Sequence, residues 1–269
     1  MIILSAAGPK IILSHTECLP NEFVLWQEHN QILVSSEDDP GPVKTIDYQP
    51  DVEWTHQSSQ NVRGVLQTDK DTVGSWEVKA KGDRVELVFT VTNTTEDAWP
   101  VAEAFMCYKH RGAVYFWDPE LKRTFLEWNG EPVSVRDRVR QMCGPDAFWP
   151  KNHLHRVGFE ATCDRYDCAG FRNPPEHGWH NHRTATTGGW MAIVSKDGNW
   201  VSGTYWEGCE MLAQNGPDYG CIHAGLTLGR EIAPDQTVSC RGVIILGRMT
   251  LENFLEHYRK DTELWSDKA

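Results

Sequence analysis

The chain has 269 residues, of which 40% are hydrophobic and 24% charged, and a formal net charge of −12. That is ample for a sizeable core, and the balance is that of a soluble globular protein rather than a disordered or fibrous one. The diffuse negative charge, with no basic run, argues against nucleic acid and anionic membrane surfaces as partners, and no apolar stretch approaches the length of a membrane helix.

The N-terminal MIILSAAGPKIILSH lacks a basic n-region, so a cytoplasmic protein is expected, with export after removal of a signal as the alternative. Residues 35–42, SSEDDPGP, predict a surface crossing. From there, period-2 alternation dominates. GSWEVK at 74–79 and VELVFTVT at 85–92 predict two strands, the second with Val85, Leu87, Phe89 and Val91 on one face. Asn93-Thr94-Thr95 matches a glycosylation pattern that matters only in a secreted eukaryotic protein. Asn129-Gly130 predicts a hairpin between RTFLEW and EPVSV, and Asp197-Gly198 a type I′ turn within 190–206. Residues 136–190 read as an irregular site-loop segment. TVSCRGVIIL at 237–246 predicts a strand ending in a buried run. A helix over about 250–261 is capped by Thr250 and carries the stripe Leu251, Phe254, Leu255 and Tyr258. Many strands and one helix predict a single all-β domain over 1–269: a large two-sheet antiparallel β-sandwich, or supersandwich, with a short C-terminal helix.

Four groups of residues could carry chemistry. HGWHNH at 177–182 and NHLH at 152–155 each hold a His-x-His pair. In an extended strand, His180 with His182 and His153 with His155 present both imidazoles to one side, as a divalent metal requires. In YWEGCEMLAQNGPDYGCIH, Glu207 ends a strand and His223 returns from a Gly/Pro loop, so the two form a candidate acid/base couple. Tyr205 and Trp206 at that strand end, and Trp179 beside the histidines, are candidate sugar contacts. In EAFMCYKHRG, Tyr108 and His110 share a strand face and could move protons, and Arg123 could grip a substrate anion. The blander assignment for Tyr108, His110 and Arg123 is a structural hydrogen bond, for Glu207 a rim salt bridge and for His223 a satisfied core histidine. Twelve Trp, spread from Trp26 to Trp265, suit either a core or a sugar site. Eight Cys occur without a CxxC pair, which argues against a zinc knuckle. Cys221, two residues before His223, is a conceivable nucleophile.

Two families are similar in part. Residues 74–105, GSWEVKAKGDRVELVFTVTNTTEDAWPVAEAF, resemble the early strands of galactose-mutarotase-like β-sandwich proteins, and 190–246 resemble the last part of bacterial proteins of that architecture. Asn152-His153 is similar to an Asn-His pair of that family. The resemblance implies a sugar-active enzyme with His and carboxylate groups on a concave sheet. His153-Leu154-His155 with Glu160 is similar to the first cupin motif, which implies a metal held by His153, His155, Glu160 and His223. The expectation is therefore a carbohydrate lyase, epimerase or hydrolase using His/Glu acid–base chemistry. Its candidate cofactor is a divalent metal (Zn, Mn, Ca or Fe), and its partner is a small-molecule or oligosaccharide substrate. The rivals are a non-catalytic carbohydrate-binding module and a cupin-like metalloenzyme on a small substrate.

Overall fold

The computed structural model describes residues 1–17, 22–27, 31–35, 42–47, 52–67, 71–110, 112–138, 154–159, 179–186, 188–215 and 220–266. In chain order the strands are β1 (Ile2–Ala7), β2 (Lys10–His15), β3 (Glu22–Gln27), β4 (Gln31–Ser35), β5 (Pro42–Asp47), β6 (Glu53–Gln57) and β7 (Asn61–Gln67). There follow β8 (Thr72–Lys81), β9 (Arg84–Thr92), β10 (Trp99–Lys109), β11 (Thr124–Trp128), β12 (Glu131–Ser134), β13 (Leu154–Phe159) and β14 (Trp179–Thr186). The last are β15 (Trp190–Val194), β16 (Val201–Trp206), β17 (Cys209–Asn215), β18 (Cys221–Ile232) and β19 (Thr237–Gly247), then helix α1 (Leu251–Ser266).

Two sheets result. A ten-stranded sheet runs β1-β2-β3-β10-β18-β17-β13-β14, with β4 attached along β10 and β5 paired to β4, and a nine-stranded sheet runs β12-β11-β15-β16-β19-β9-β8-β7-β6. Pairings are antiparallel except β13 with β14, which is parallel. The expected large sandwich is what forms.

Alternation explains how the sheets stack. On β9, Val85, Leu87, Phe89 and Val91 are all buried, as their period predicts. They meet Trp76, Val78 and Ala80 of β8 and, from the other sheet, Ala104, Met106 and Tyr108 of β10 with Ile222, Ala224 and Leu226 of β18. Trp76 packs on Phe89 at 4.7 Å between ring centroids. Each such large side chain, fully buried, contributes roughly 1.5–3 kcal/mol.

A second, smaller core lies on the other face of the nine-stranded sheet, where α1 covers it. Trp190, Tyr205, Val243 and Ile245 meet Phe254 and Leu255 there. A β-carbon on Gly203 would stand 2.6 Å from the Phe254 ring, so this strand position admits only glycine while the helix is seated. Both faces of β19 are thereby covered, which is why its last six residues are buried without alternation.

Three expectations need correction. Asn129 (φ 53°) and Gly130 (φ 82°) form the two-residue, doubly positive turn that suits a type I′ hairpin, but at 197–198 only Gly198 (φ 76°) is left-handed. That loop spans 195–200 because Ser195 Oγ donates to Asp197 Oδ1 at 2.6 Å, and Asp197 accepts from the Asn199 backbone in turn. Segment 136–190 is not wholly irregular, since it contains β13 and β14. Helix α1 is capped by Thr250, whose Oγ1 accepts the Asn253 N–H, but it continues to Ser266. Trp265 in that added length lies 5.9 Å from the Tyr205 ring, so packing rather than propensity extends it. Among the described residues no helix is long and apolar enough to cross a membrane.

Candidate functional site

Strands β10 and β18 are adjacent in the middle of the ten-stranded sheet, and each has two unlike faces. Their even-numbered residues from 104 to 108 and 222 to 226 point into the inter-sheet core. The odd-numbered ones, Phe105, Cys107 and Lys109 on β10 and Cys221, His223 and Gly225 on β18, therefore face outward. Register sets Cys107 directly opposite His223 and Lys109 opposite Cys221.

This outward strip holds the densest chemistry among the described residues. Ligand-capable atoms of Cys107, Cys221 and His223 all lie within 4.8 Å of one another, and all three residues are buried. The His223 ring stacks on Phe105 at 5.0 Å between centroids and 14° between planes. Gly225 stands opposite Phe105, where a β-carbon would press on Met211 Cε at 3.0 Å and meet Phe105 Cδ2 at an ordinary 3.6 Å. The Cys221 thiol is held well below its ordinary pKa, foremost by a hydrogen bond from Cys107 and then by His223, against the opposing effect of burial. A thiolate, a second thiol and an imidazole so placed can bind a soft cation or exchange protons.

His223 thus lies where a site can form, but Glu207 is engaged elsewhere. Glu207 is gripped by Arg241 through bonds of 2.6 and 2.9 Å, and that pairing lowers its carboxyl pKa. It also accepts the Arg241 backbone N–H. Gly208, the next residue, accepts the Thr227 N–H, which places the turn four residues, about 13 Å, along β18 from His223. The rim salt bridge describes Glu207.

Tyr108 and His110 do share a face, and it is the inner one. The Tyr108 hydroxyl and His110 Nε2 both bond Ser202 Oγ of β16, each at 2.9 Å, bridging the two sheets. Burial pushes the His110 pKa down to about 3, so the ring is neutral. Arg123 donates to the backbone carbonyls of Val194 at 2.6 Å and Trp117 at 2.5 Å, tying the 3-10 turn Val114–Phe116 to β15. Tyr205 donates to Asp261 at 2.5 Å, beside Arg84, under α1, and its phenol pKa is raised by burial first and Asp261 second. Trp206 is in the core, T-shaped to Trp76 at 6.2 Å, and it edges a cavity of about 360 Å³ shared with Glu207, Glu210, Tyr258 and Trp265.

Of the His-x-His pairs, β13 and β14 put His155 and His180 opposite each other, and His155 opposite Gln214 of β17. His182 lies on β14, in the stretch where the β13–β14 register shifts. Trp179 stands opposite Leu154. His153 and Glu160, hence the cupin-like ligand set as a whole, lie outside the described residues. Sequence reasoning missed Cys107 and Phe105, whose partners are on a distant strand, and the exposed pair Tyr115 (47%) and Trp117 (45%) just past the end of β10.

No known protein family matches the chain, and no curated protein matches it in sequence. Solved structures do match. An α-N-acetylgalactosaminidase from Bifidobacterium bifidum is 12% identical, with 98% of this chain and 37% of that one covered, at a TM-score of 0.52. A galactose mutarotase related enzyme from Lactobacillus acidophilus is 8% identical over 93% of this chain and 99% of that one, at 0.48. A galactose mutarotase-like protein from Lactobacillus casei is 10% identical over 92% and 100%, at 0.41. The chain spans little more than a third of the galactosaminidase. At these identities the likeness is one of fold alone, a large two-sheet antiparallel β-sandwich.

Proposed function

We propose that the chain is a carbohydrate-active enzyme of the epimerase, lyase or hydrolase kind, with its chemistry on the outward strip of β10 and β18 and His223 at its centre. The observation that carries this is the placement of His223: outward-facing, buried, stacked on Phe105 and flanked by two thiols. All three reactions require a proton to move at a carbon beside a carbonyl or at the anomeric centre. An imidazole at such a centre either takes that proton itself or holds a Lewis acid that polarises the sugar oxygen. The fold supports the substrate class, since a matched structure is an α-N-acetylgalactosaminidase. The net charge of −12 and the exposed aromatics Tyr115 and Trp117 suit a neutral, ring-stacking ligand.

The test is a panel of free aldoses, glycosides and uronic acid oligosaccharides. It is read by proton NMR for anomer or C–H exchange, by reducing ends and by unsaturated products. Turnover with at least one sugar, lost in His223→Gln, is expected; no turnover with any class overturns the assignment. A second reading, a carbohydrate-binding module without catalysis, is favoured by the exposed Tyr115 and Trp117. It predicts sugar binding that survives His223→Gln and fails in Trp117→Ala.

A further inference from the structure

We propose that Cys107, Cys221 and His223 form a binding site for one thiophilic divalent metal ion, zinc being the natural occupant. Cys107 faces His223 across the β10–β18 ladder, and Cys221 is two residues before His223 on β18, diagonal to Cys107. Directly opposed residues have β-carbons about 4.5–5.5 Å apart, and diagonal ones about 7–8 Å. Side chains on such a triangle can lean together over a single point above the sheet. The three ligand atoms do so, within 4.8 Å of one another. In a tetrahedral site with zinc–sulfur bonds of about 2.3 Å and zinc–nitrogen bonds of about 2.0 Å, ligand atoms stand roughly 3.5–3.8 Å apart. Contraction by about 1 Å, within the reach of side-chain rotation, closes the set.

The same geometry argues against the rival covalent state. A disulfide needs β-carbons roughly 3.5–4.5 Å apart, which a diagonal cross-strand pair does not offer, and neither cysteine is in a disulfide. Two sulfurs this close on the outward side of a sheet, joined by an imidazole, form a ligand set that a purely apolar packing role does not require. Donor chemistry selects the ion. Thiolate sulfur favours zinc over calcium and manganese, which prefer oxygen. Both cysteines bind as thiolates, and any proton that either sulfur still carries leaves to solvent. Two thiolates and one imidazole supply three of the four tetrahedral positions, the ligand count of catalytic rather than structural zinc. The fourth position is available to a water or a sugar oxygen. The proposal goes beyond the sugar reading and does not depend on it.

The experiment uses the full chain, reduced and stripped with a chelator, then titrated with cobalt(II) and zinc(II). One cobalt per chain is expected, with tetrahedral visible bands and a thiolate-to-cobalt charge-transfer band in the near ultraviolet, displaced by zinc. Cys107→Ser and Cys221→Ser should each lower that band by about half, one of two thiolates being removed, and the double variant should abolish it. Cys209→Ser, whose thiol donates to the Met211 carbonyl away from the cluster, should keep it. Circular dichroism and thermal melting check the fold; if the double variant does not fold, the single variants carry the same readout. Failure to bind one equivalent, or undiminished bands in the serine variants, overturns the site. Sugar turnover on the same samples separates the two proposals. Cobalt bound without turnover on any sugar overturns the enzyme and leaves the site standing; turnover with no metal bound does the reverse.

Discussion

Cys107 and Tyr108 are adjacent in sequence, as are Ile222 and His223, yet the two faces of this ribbon do different work. On the inner face, Tyr108 and His110 meet Ser202 of the opposite sheet, and every group is spent on holding the sandwich together. On the outer face, Cys107, Cys221 and His223 converge on one another. The same residue types, a histidine beside a titratable neighbour, bridge the two sheets on one side and meet one another on the other. The peptide pleat, not the side chain, decides which.

Substitutions on each face can break that contrast. The largest effect belongs to the outer face: His223→Gln should lower sugar turnover by at least about a hundredfold while the melting temperature stays close to the parent's, as loss of a proton-moving group typically does. Equal loss of fold and turnover would erase the distinction. Phe254→Ala, on the face of α1 that packs against the nine-stranded sheet, should cost about 3–5 kcal/mol in urea unfolding and leave the site's ligand chemistry unchanged. On the inner face, Ser202→Ala removes the partner of two buried groups and should cost about 1–3 kcal/mol by the same assay.

His110 sharpens the contrast through pH. Its ring stays neutral when folded, with a pKa near 3, whereas an unfolded histidine takes a proton near pH 6.5. The unfolded chain therefore binds the extra proton in that window, and stability falls as pH drops through it, by up to about 1.4 kcal/mol per pH unit. His110→Gln should flatten that slope by one proton; an unchanged slope between about pH 7 and about pH 5 would contradict the buried neutral ring. The smallest effect is Glu207→Gln. Its ion pair with Arg241 is about one-third exposed on each side and should contribute less than about 1 kcal/mol, with turnover unaffected.

Local patterns were legible where structure is local. The alternation of Val85, Leu87, Phe89 and Val91, the Asn129-Gly130 turn and the Thr250 cap all form as read, because each depends on residues a few positions apart. The period of EAFMCYKHRG also showed that Tyr108 and His110 share a face, but not which face, since that depends on where the second sheet lies. His223 was singled out from its position after a Gly/Pro loop, and the fold sets it beside Cys107 and Cys221; it is not partnered with Glu207, because Arg241 arrives from β19 to take the carboxylate. Cys107 looked like an ordinary strand cysteine. Only the register of β10 against β18 turns it toward His223, and no local pattern encodes that pairing.

Cys107 and His223 lie over a hundred residues apart in sequence and meet only when β10 and β18 zip together. Contacts of such long range form slowly, after the entropy of closing a large loop has been met. The thiol–imidazole cluster is therefore a late product of folding and does not exist in the early chain, where eight cysteines are loose and chemically alike. A thiophilic ion present from the start of refolding would be captured by the wrong pairs and slow the search. Yield should be highest when reductant and chelator are kept until the sheets have closed, and the ion is added only then.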